Sequence, residues 1–304
     1  MEVAKTDEQA AWLEYWSRRN CIGSSDIKSI VGTCSQRGPH DVHIAKTDEN
    51  YVDKVKPNMV VGLVMEPALG ELTRLKLADH GIEVTLKPGK TYTKEIDGVR
   101  LRDTPDFIAV ESTRHRKPLY VVETKTAYSA DRDHYGEEWS DDVNEGYRDQ
   151  CIWHCGMTGA PHCVLAVQFW AGDFPDIYIV QADEERFNFL VRSAIEVWKR
   201  FVDGDETPPI DKTAACRRNL SRLEETRHQL KECTNEQVVL FKELRDLKLK
   251  IDTMSTRKNE IENQLIQEVG EYKGIDFEGG AKFTYAANKR GKRTMRSNFK
   301  GLED

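Results

Sequence analysis

Thr104-Pro105-Asp106-Phe107-Ile108-Ala109-Val110 and, a few residues on, Leu119-Tyr120-Val121-Val122-Glu123-Thr124-Lys125 are the stretches on which the reading of this 304-residue chain turns. Both are rich in β-branched and aromatic residues and read as a pair of neighbouring strands. Side chains alternate along a strand, so Glu123 and Lys125 share one face while Thr124 points away. With Asp106 delivered from the paired strand, that face presents two carboxylates and one ammonium to a single phosphodiester. Such a set, completed by main-chain carbonyls and waters, suits Mg²⁺ or Mn²⁺ rather than zinc. Acidic residues near strand ends are also ordinary solvated surface, so the rest of the chain has to add weight.

The length allows one sizeable core and an appendage. No run of about 18 apolar residues is present, and the start, Met1-Glu2-Val3-Ala4-Lys5-Thr6-Asp7-Glu8, lacks the basic-then-apolar form of a signal peptide. A soluble protein of the cytoplasm, with no membrane partner, is the expectation. Seven cysteines, an odd number without an export signal, point to reduced thiols. Cys151, Cys155 and Cys163, with His154 and His162 among them, read better as small buried residues than as a metal site: no CxxC pair occurs. The net charge of −7 is the wrong sign for a protein that coats nucleic acid. The charge is uneven, however. Residues 282–300 carry Lys289, Arg290, Lys292, Arg293 and Arg296 without an acidic residue, a basic arm able to contact a DNA backbone, while 131–149 is crowded with carboxylates.

Along the chain, residues 8–20 suggest a helix with Trp12 and Trp16 on one face, and Ser24-Ser25-Asp26 an N-cap for a short helix ending near Gly32. A longer helix is expected over 58–80, carrying Glu66 and kinked or divided at Pro67. Strands near 82–87, 91–95, 98–102, 106–111 and 118–125 read as a meander. A helix over 140–156, strands over 162–170 and 177–181, and a helix over 183–202 follow. The order is that of an α+β fold rather than a doubly wound sheet. After Pro208-Pro209, Leu223, Leu230, Leu240, Leu244, Leu247, Ile251, Met254, Ile261 and Leu265 follow a three-and-four spacing, with Thr226, Cys233, Gln237 and Lys258 filling the seam. This coiled-coil-like helix could pair with another chain, as a homo-oligomer, or fold back on its own domain. A small hairpin turning at Gly279-Gly280 and the basic tail complete the chain.

Four motifs in this order carry a resemblance: Arg18-Arg19-Asn20-Cys21-Ile22-Gly23-Ser24-Ser25-Asp26; Gly62-Leu63-Val64-Met65-Glu66-Pro67; Thr104-Pro105-Asp106 with Glu123-Thr124-Lys125; and Tyr147-Arg148-Asp149-Gln150. Over about Trp12 to Pro209 the chain resembles the YqaJ-type viral recombinases related to lambda exonuclease, within the PD-(D/E)-x-K nuclease superfamily. The resemblance implies a nuclease domain over 1–210, a central mixed sheet flanked by helices; outside it, the chain's own pattern gives the heptad helix over 211–270 and the hairpin and basic tail over 271–304. It implies that Asp106, Glu123 and the main-chain carbonyl of Thr124 ligate Mg²⁺, with Mn²⁺ substituting, and that Glu66 holds a second ion or its waters. Lys125 would orient or deprotonate the attacking water, and Gln150 would line the site. Arg18 and Ser25, with Ser24 and Arg19 as competitors, would bind a terminal 5′-phosphate. The activity implied is 5′ to 3′ digestion of double-stranded DNA ends, leaving 3′ overhangs for a single-strand annealing partner, in a phage or prophage setting.

The chemistry agrees with those roles. Phosphodiester hydrolysis needs a hydroxide near neutral pH and a counter-charge for the phosphate, and a metal ion supplies both. Arginine matches a terminal phosphate bidentately, and a helix start offers N–H groups to the same anion. Departures are the acid-rich segment Glu137, Glu138, Asp141, Asp142 and Glu145, unusual beside DNA, and the tail beyond Leu220, which lies outside the core of lambda exonuclease, so that its trimeric ring is not carried over. Other readings stay open: a structure-selective or nicking endonuclease with the same carboxylates, an iron–sulfur nuclease, or a non-catalytic DNA-end-binding assembly module.

Overall fold

A computed structural model of the chain describes residues 19–49, 51, 57–110, 119–169, 174–222, 226–227, 229–287, 291–299 and 301–302. Trp12, Trp16, Arg18, Leu223, Lys289 and Arg290 lie outside them. Two compact units are present, Met1–Glu224 and Glu225–Asp304.

The first unit is an α+β fold on a central mixed sheet. Strands β2 (Thr85–Pro88), β5 (Phe107–Val110), β6 (Tyr120–Ala127), β7 (His162–Phe169) and β8 (Asp176–Gln181) lie in the order β2-β5-β6-β7-β8. All neighbours are antiparallel except β6 and β7, which run parallel. A parallel pair needs a long crossover, and the connection contains helix α4, Glu145–Thr158. The meander expected from sequence is therefore broken twice. β3 (Tyr92–Ile96) and β4 (Val99–Asp103) leave the main sheet and pair with each other, turning at Asp97-Gly98, where both residues have positive φ. β1 (Ile22–Gly23) then adds to β4 in parallel, a strand too short to be read from its own pattern.

Alternation along β6 and β7 sets the two faces. Val121, Leu165 and Val167 join the larger core with Trp153, Tyr178 and Leu190, whereas Val122, Val164 and Ala166 face the smaller one with Leu77 and Tyr120. Helix α4 covers the first face together with α1 (Ser24–Ile30) and α5 (Glu184–Val197, continued by a π turn over Trp198–Val202). Helix α3, Pro57–Asp79, lies against the second. It runs as a single helix through Pro67, which does not divide it. Gly70 lets it close on the sheet, since a Cβ there would meet the Phe107 ring at 2.5 Å.

Helix α1 is capped differently from the expectation. Its N-cap is Gly23, whose N–H donates to Asp26 Oδ2 at 3.1 Å, and Ser24 is already its first helical residue. The same Asp26 oxygen receives Lys46 Nζ at 2.8 Å from α2, Pro39–Thr47, and both side chains are buried. Helix α6, Ala214–Leu220, packs on α2 with Asn219 donating to Asp41, so the first unit continues past 210. Cys151, Cys155 and Cys163 are free thiols within the large core. No helix among the described residues is long and apolar enough to cross a membrane.

In the second unit the long helix α7 is Asn235–Val269, opened by a reciprocal cap between Thr234 and Gln237. The hairpin at Gly279-Gly280 is present between β9 (Gly274–Asp276) and β10 (Lys282–Ala287). What reads as a basic tail forms a third antiparallel strand, β11 (Arg293–Asn298).

The Asp26–Lys46 pair fixes α1 to α2, and its removal has a defined signature. Burial works to raise the Asp26 carboxyl, but Lys46 outweighs it and holds the group below its ordinary range. Lys46→Met should cost about 3 kcal/mol in urea unfolding at neutral pH, because a buried carboxylate is left unpaired. Because the folded pKa lies below the unfolded one, the contribution of the pair is complete above about pH 4 and lost as pH falls through the depressed value. The gap between the variant and the parent should close in acid; a gap independent of pH would contradict the assignment.

Candidate active site

β6 places Glu123 and Lys125 on one face, and their carboxylate and ammonium are in direct contact. Glu123 faces the larger core under α4 and is almost wholly buried. A buried carboxylate needs partners for every lone pair it retains. Gln150 Nε2 donates to Glu123 Oε1 at 2.6 Å, joining Lys125 on that oxygen. On the other side, His154 Nε2 lies 3.1 Å from Glu123 Oε2, near enough for an ion pair although off the line of a hydrogen bond. His154 Nδ1 meets Asp103 Oδ1 at 2.8 Å, at the end of β4. Burial opposes the Glu123 charge, but Lys125 and then His154 hold its pKa at about 2.

Asp106 arrives immediately before β5. It reaches β6 through Thr124, the residue between Glu123 and Lys125: both the Thr124 N–H and Oγ1 donate to Asp106 Oδ2 at 2.8 Å. Asp106 thus grips the residue that lies between the other two, with Glu123 and Lys125 as its electrostatic neighbours. Its position depends on Gly89, whose N–H donates to the Asp106 carbonyl at 2.9 Å. A Cβ on Gly89 would stand 1.7 Å from the Pro105 carbonyl oxygen, so only glycine fits that approach.

Glu66 is half-buried on α3, and its electrostatic neighbours are Asp106, Glu123 and Lys125. Burial and then the charges of Asp106 and Glu123 push its pKa up; burial and then Glu123 do the same to Asp106. Two carboxylates raised in this way form a region short of positive charge. Lys125 behaves oppositely. Burial works against its ammonium, but Glu123 and Asp106 outweigh that and hold its pKa above the ordinary lysine range.

The structure thus gathers Glu66, Asp106, Glu123, Thr124, Lys125 and Gln150. Among the described residues no three His, Cys, Asp or Glu side chains are grouped closely enough to form a metal cage by themselves. The donor chemistry nevertheless fits a hard cation: Asp106 Oδ1 is in no hydrogen bond among the described residues, and carboxylates are the oxygens such an ion takes.

The anion-binding candidates are less concentrated. Ser24 and Ser25 open α1, half-buried and exposed respectively. Arg19 is buried, its guanidinium donating to the carbonyls of Asp48 at 2.8 Å and Lys46 at 3.3 Å. In the second unit, Lys292 and Arg296 are exposed on or beside β11. Arg293 instead donates to the carbonyls of Gly270, Tyr272 and Tyr285 and covers the Tyr285 ring, which fastens the sheet to the end of α7.

Three contributors were not read from the sequence as part of the site. His154 was noticed only beside the cysteines, yet Gln150 and His154 are four apart on a helix and therefore share a face. Asp103 closes the relay behind it. Lys28, on α1, places its ammonium 4.9 Å from the centre of the Tyr147 ring, and Lys125 approaches the same ring at 5.7 Å. Burial and then Lys125 lower the Lys28 pKa. The acid-rich segment is partly accounted for: Glu138 pairs with Lys76 and Asp141 with Arg148, while Asp149 takes two bonds from Arg186.

Scans against family models and curated proteins give no match. Among solved structures, the alkaline exonuclease of Laribacter hongkongensis aligns at TM-score 0.48 and 11% identity, over 70% of this chain and 100% of its own. Its complex with dAMP aligns at the same score over 63% and 93%. A protein of Eubacterium rectale, given a provisional exonuclease designation, aligns at TM-score 0.48 and 14% identity, over 78% of this chain and 98% of its own. Scores below 0.5 at such identities decide nothing about the chemistry of this site.

The Asp103–His154–Glu123 relay makes a measurable claim. His154→Leu and Asp103→Leu should each cost about 3 kcal/mol or more in denaturant unfolding, because each leaves a buried charged partner exposed to apolar surroundings. The double variant should cost less than the sum by about 1 kcal/mol or more. Strict additivity would mean that the relay is not one interacting unit.

Proposed function

We propose that the chain is a metal-dependent deoxyribonuclease, an exonuclease that digests double-stranded DNA from its ends in the 5′ to 3′ direction. The observation carrying this reading is the convergence of Asp106, Glu123 and Glu66 with Lys125 and Gln150, in which two carboxylates have raised pKa values and one lysine remains charged. Asp106, Glu123, the Thr124 carbonyl and Glu66 are the groups that would hold Mg²⁺ or Mn²⁺. A divalent ion there supplies a hydroxide near neutral pH and a counter-charge for the phosphate.

The remaining roles belong to the chain itself. Lys125, held as an ammonium, is suited to stabilising negative charge on the phosphate rather than to taking a proton from water. Gln150 fixes the rotamer of Glu123 and has a second donor hydrogen for a water or a phosphate oxygen. Lys28 and Tyr147 form the adjoining wall, adding a second cation where a DNA backbone would pass. Polarity, the production of 3′ overhangs and service to an annealing protein rest on the resemblance at Arg18, Ser24 and Ser25. Lys292 and Arg296 remain the candidates for backbone contact in the second unit.

The test is digestion of a linear duplex labelled at either end, with a closed circle alongside. With Mg²⁺ or Mn²⁺, label should leave 5′-phosphorylated ends progressively, the circle should survive, and chelation should stop the reaction. Lys125→Ala should slow it by about a hundredfold or more; since Glu123 loses a buried counter-charge, the assay is run at a temperature where circular dichroism shows the variant folded. Cutting of the circle would transfer the assignment to a nicking or structure-selective endonuclease. Binding to ends without cleavage under either metal would replace both with a DNA-end-binding module.

A further inference from the structure

Helix α7 carries an apolar seam that nothing among the described residues covers over its first half. Leu240, Leu244, Leu247, Ile251 and Met254 are between 47% and 72% exposed, on a helix of 35 residues. In heptad terms Leu244, Ile251, Lys258 and Leu265 take position a, and Leu240, Leu247, Met254 and Ile261 take position d. Further along, the seam opens into a groove of about 890 Å³ between the helix and its own sheet, walled by Ile261 and Leu265 on one side and Phe277, Phe283, Phe299 and Leu302 on the other.

We propose that α7 forms a parallel, in-register two-stranded coiled coil with α7 of a second copy of this chain. Charge complementarity selects this occupant. In a parallel pair each g residue faces the e residue of the next heptad across the interface. Glu243 then meets Lys248 of the other copy, Lys250 meets Ser255, and Arg257 meets Glu262: two attractive pairs, one neutral pair and no repulsive one. An antiparallel pair centred between Ile251 and Met254 brings Lys250 against Arg257, two like charges.

Lys258 is the single charged residue at an a position between Leu244 and Leu265, a device that fixes register and oligomer number at some cost in stability. Its ammonium lies 3.3 Å from Glu262 of its own helix, which screens it from its counterpart. The exposed seam residues from Leu240 to Ile261 offer about 600 Å² on each helix, so the pair buries on the order of 1,200 Å², the lower bound of a stable specific interface. The inference is independent of the nuclease reading.

The experiment uses the full chain. Light scattering after size exclusion should give twice the 34.9 kDa chain mass. Leu247→Glu with Ile251→Glu should give a monomer whose helical signal outside the long helix is retained. Both positions are exposed, and charge reversal supplies a second, gentler test. Glu243→Lys should weaken the dimer roughly tenfold, since two symmetry-related attractions become repulsions. Adding Lys248→Glu should restore it. Cys233 precedes the helix cap and is exposed, so a mild thiol oxidant should link two chains through it only when the helices run parallel; in an antiparallel pair the two ends stand about 50 Å apart. A monomer at micromolar concentration, a trimer, or a dimer that neither cross-links at Cys233 nor responds to the charge exchange would overturn the proposal.

Discussion

The buried carboxylate of Glu123 is the constraint around which the first unit is arranged. A charge in that position survives only if it is met from several directions at once, and three separate segments meet it: β6 through Lys125, α4 through Gln150 and His154, and β4 through Asp103 behind His154. The crossover between the parallel strands β6 and β7 returns α4 over the face that Glu123 occupies. A bidentate bond from Arg186 to Asp149 fixes the turn of α4 next to Gln150.

Much of this was legible before any coordinates. The strands on either side of Asp106 and Glu123, the Glu66 helix, the Gln150 helix and the α+β class all follow from alternation, helical spacing and stop signals, because those patterns reflect burial on one face of a local element. Sheet membership was not legible. β3 and β4 look like continuations of a meander, and the sheet they form instead, with β4 paired to the two-residue β1, depends on a contact nearly eighty residues distant in sequence. Capping at Gly23 escaped for a related reason: the side chain that satisfies its N–H is three residues on, and Ser24 offers the commoner signal.

Within the site, the residues that stand out in the sequence and that the structure brings together are those whose types are unusual for their setting, a carboxylate and a lysine inside an apolar strand. Those missed are ordinary residues made special by convergence. His154 resembles any core histidine until Asp103 is brought beneath it, and Arg19 and Arg293 resemble surface phosphate contacts until carbonyl oxygens are found around them. Basic residues near glycine turns carry this ambiguity generally, since a guanidinium serves a phosphate and a cluster of carbonyls equally well.

The contact between Lys125 and Glu123 makes this buried pair its own counter-ion reservoir. The carboxylate is met by an ammonium that belongs to the protein and is tethered two residues away. Because the pair is enclosed, dissolved salt screens it far less than it screens a pair on the surface. The neutrality of this part of the core is therefore carried by the chain and does not vary with the ions around it.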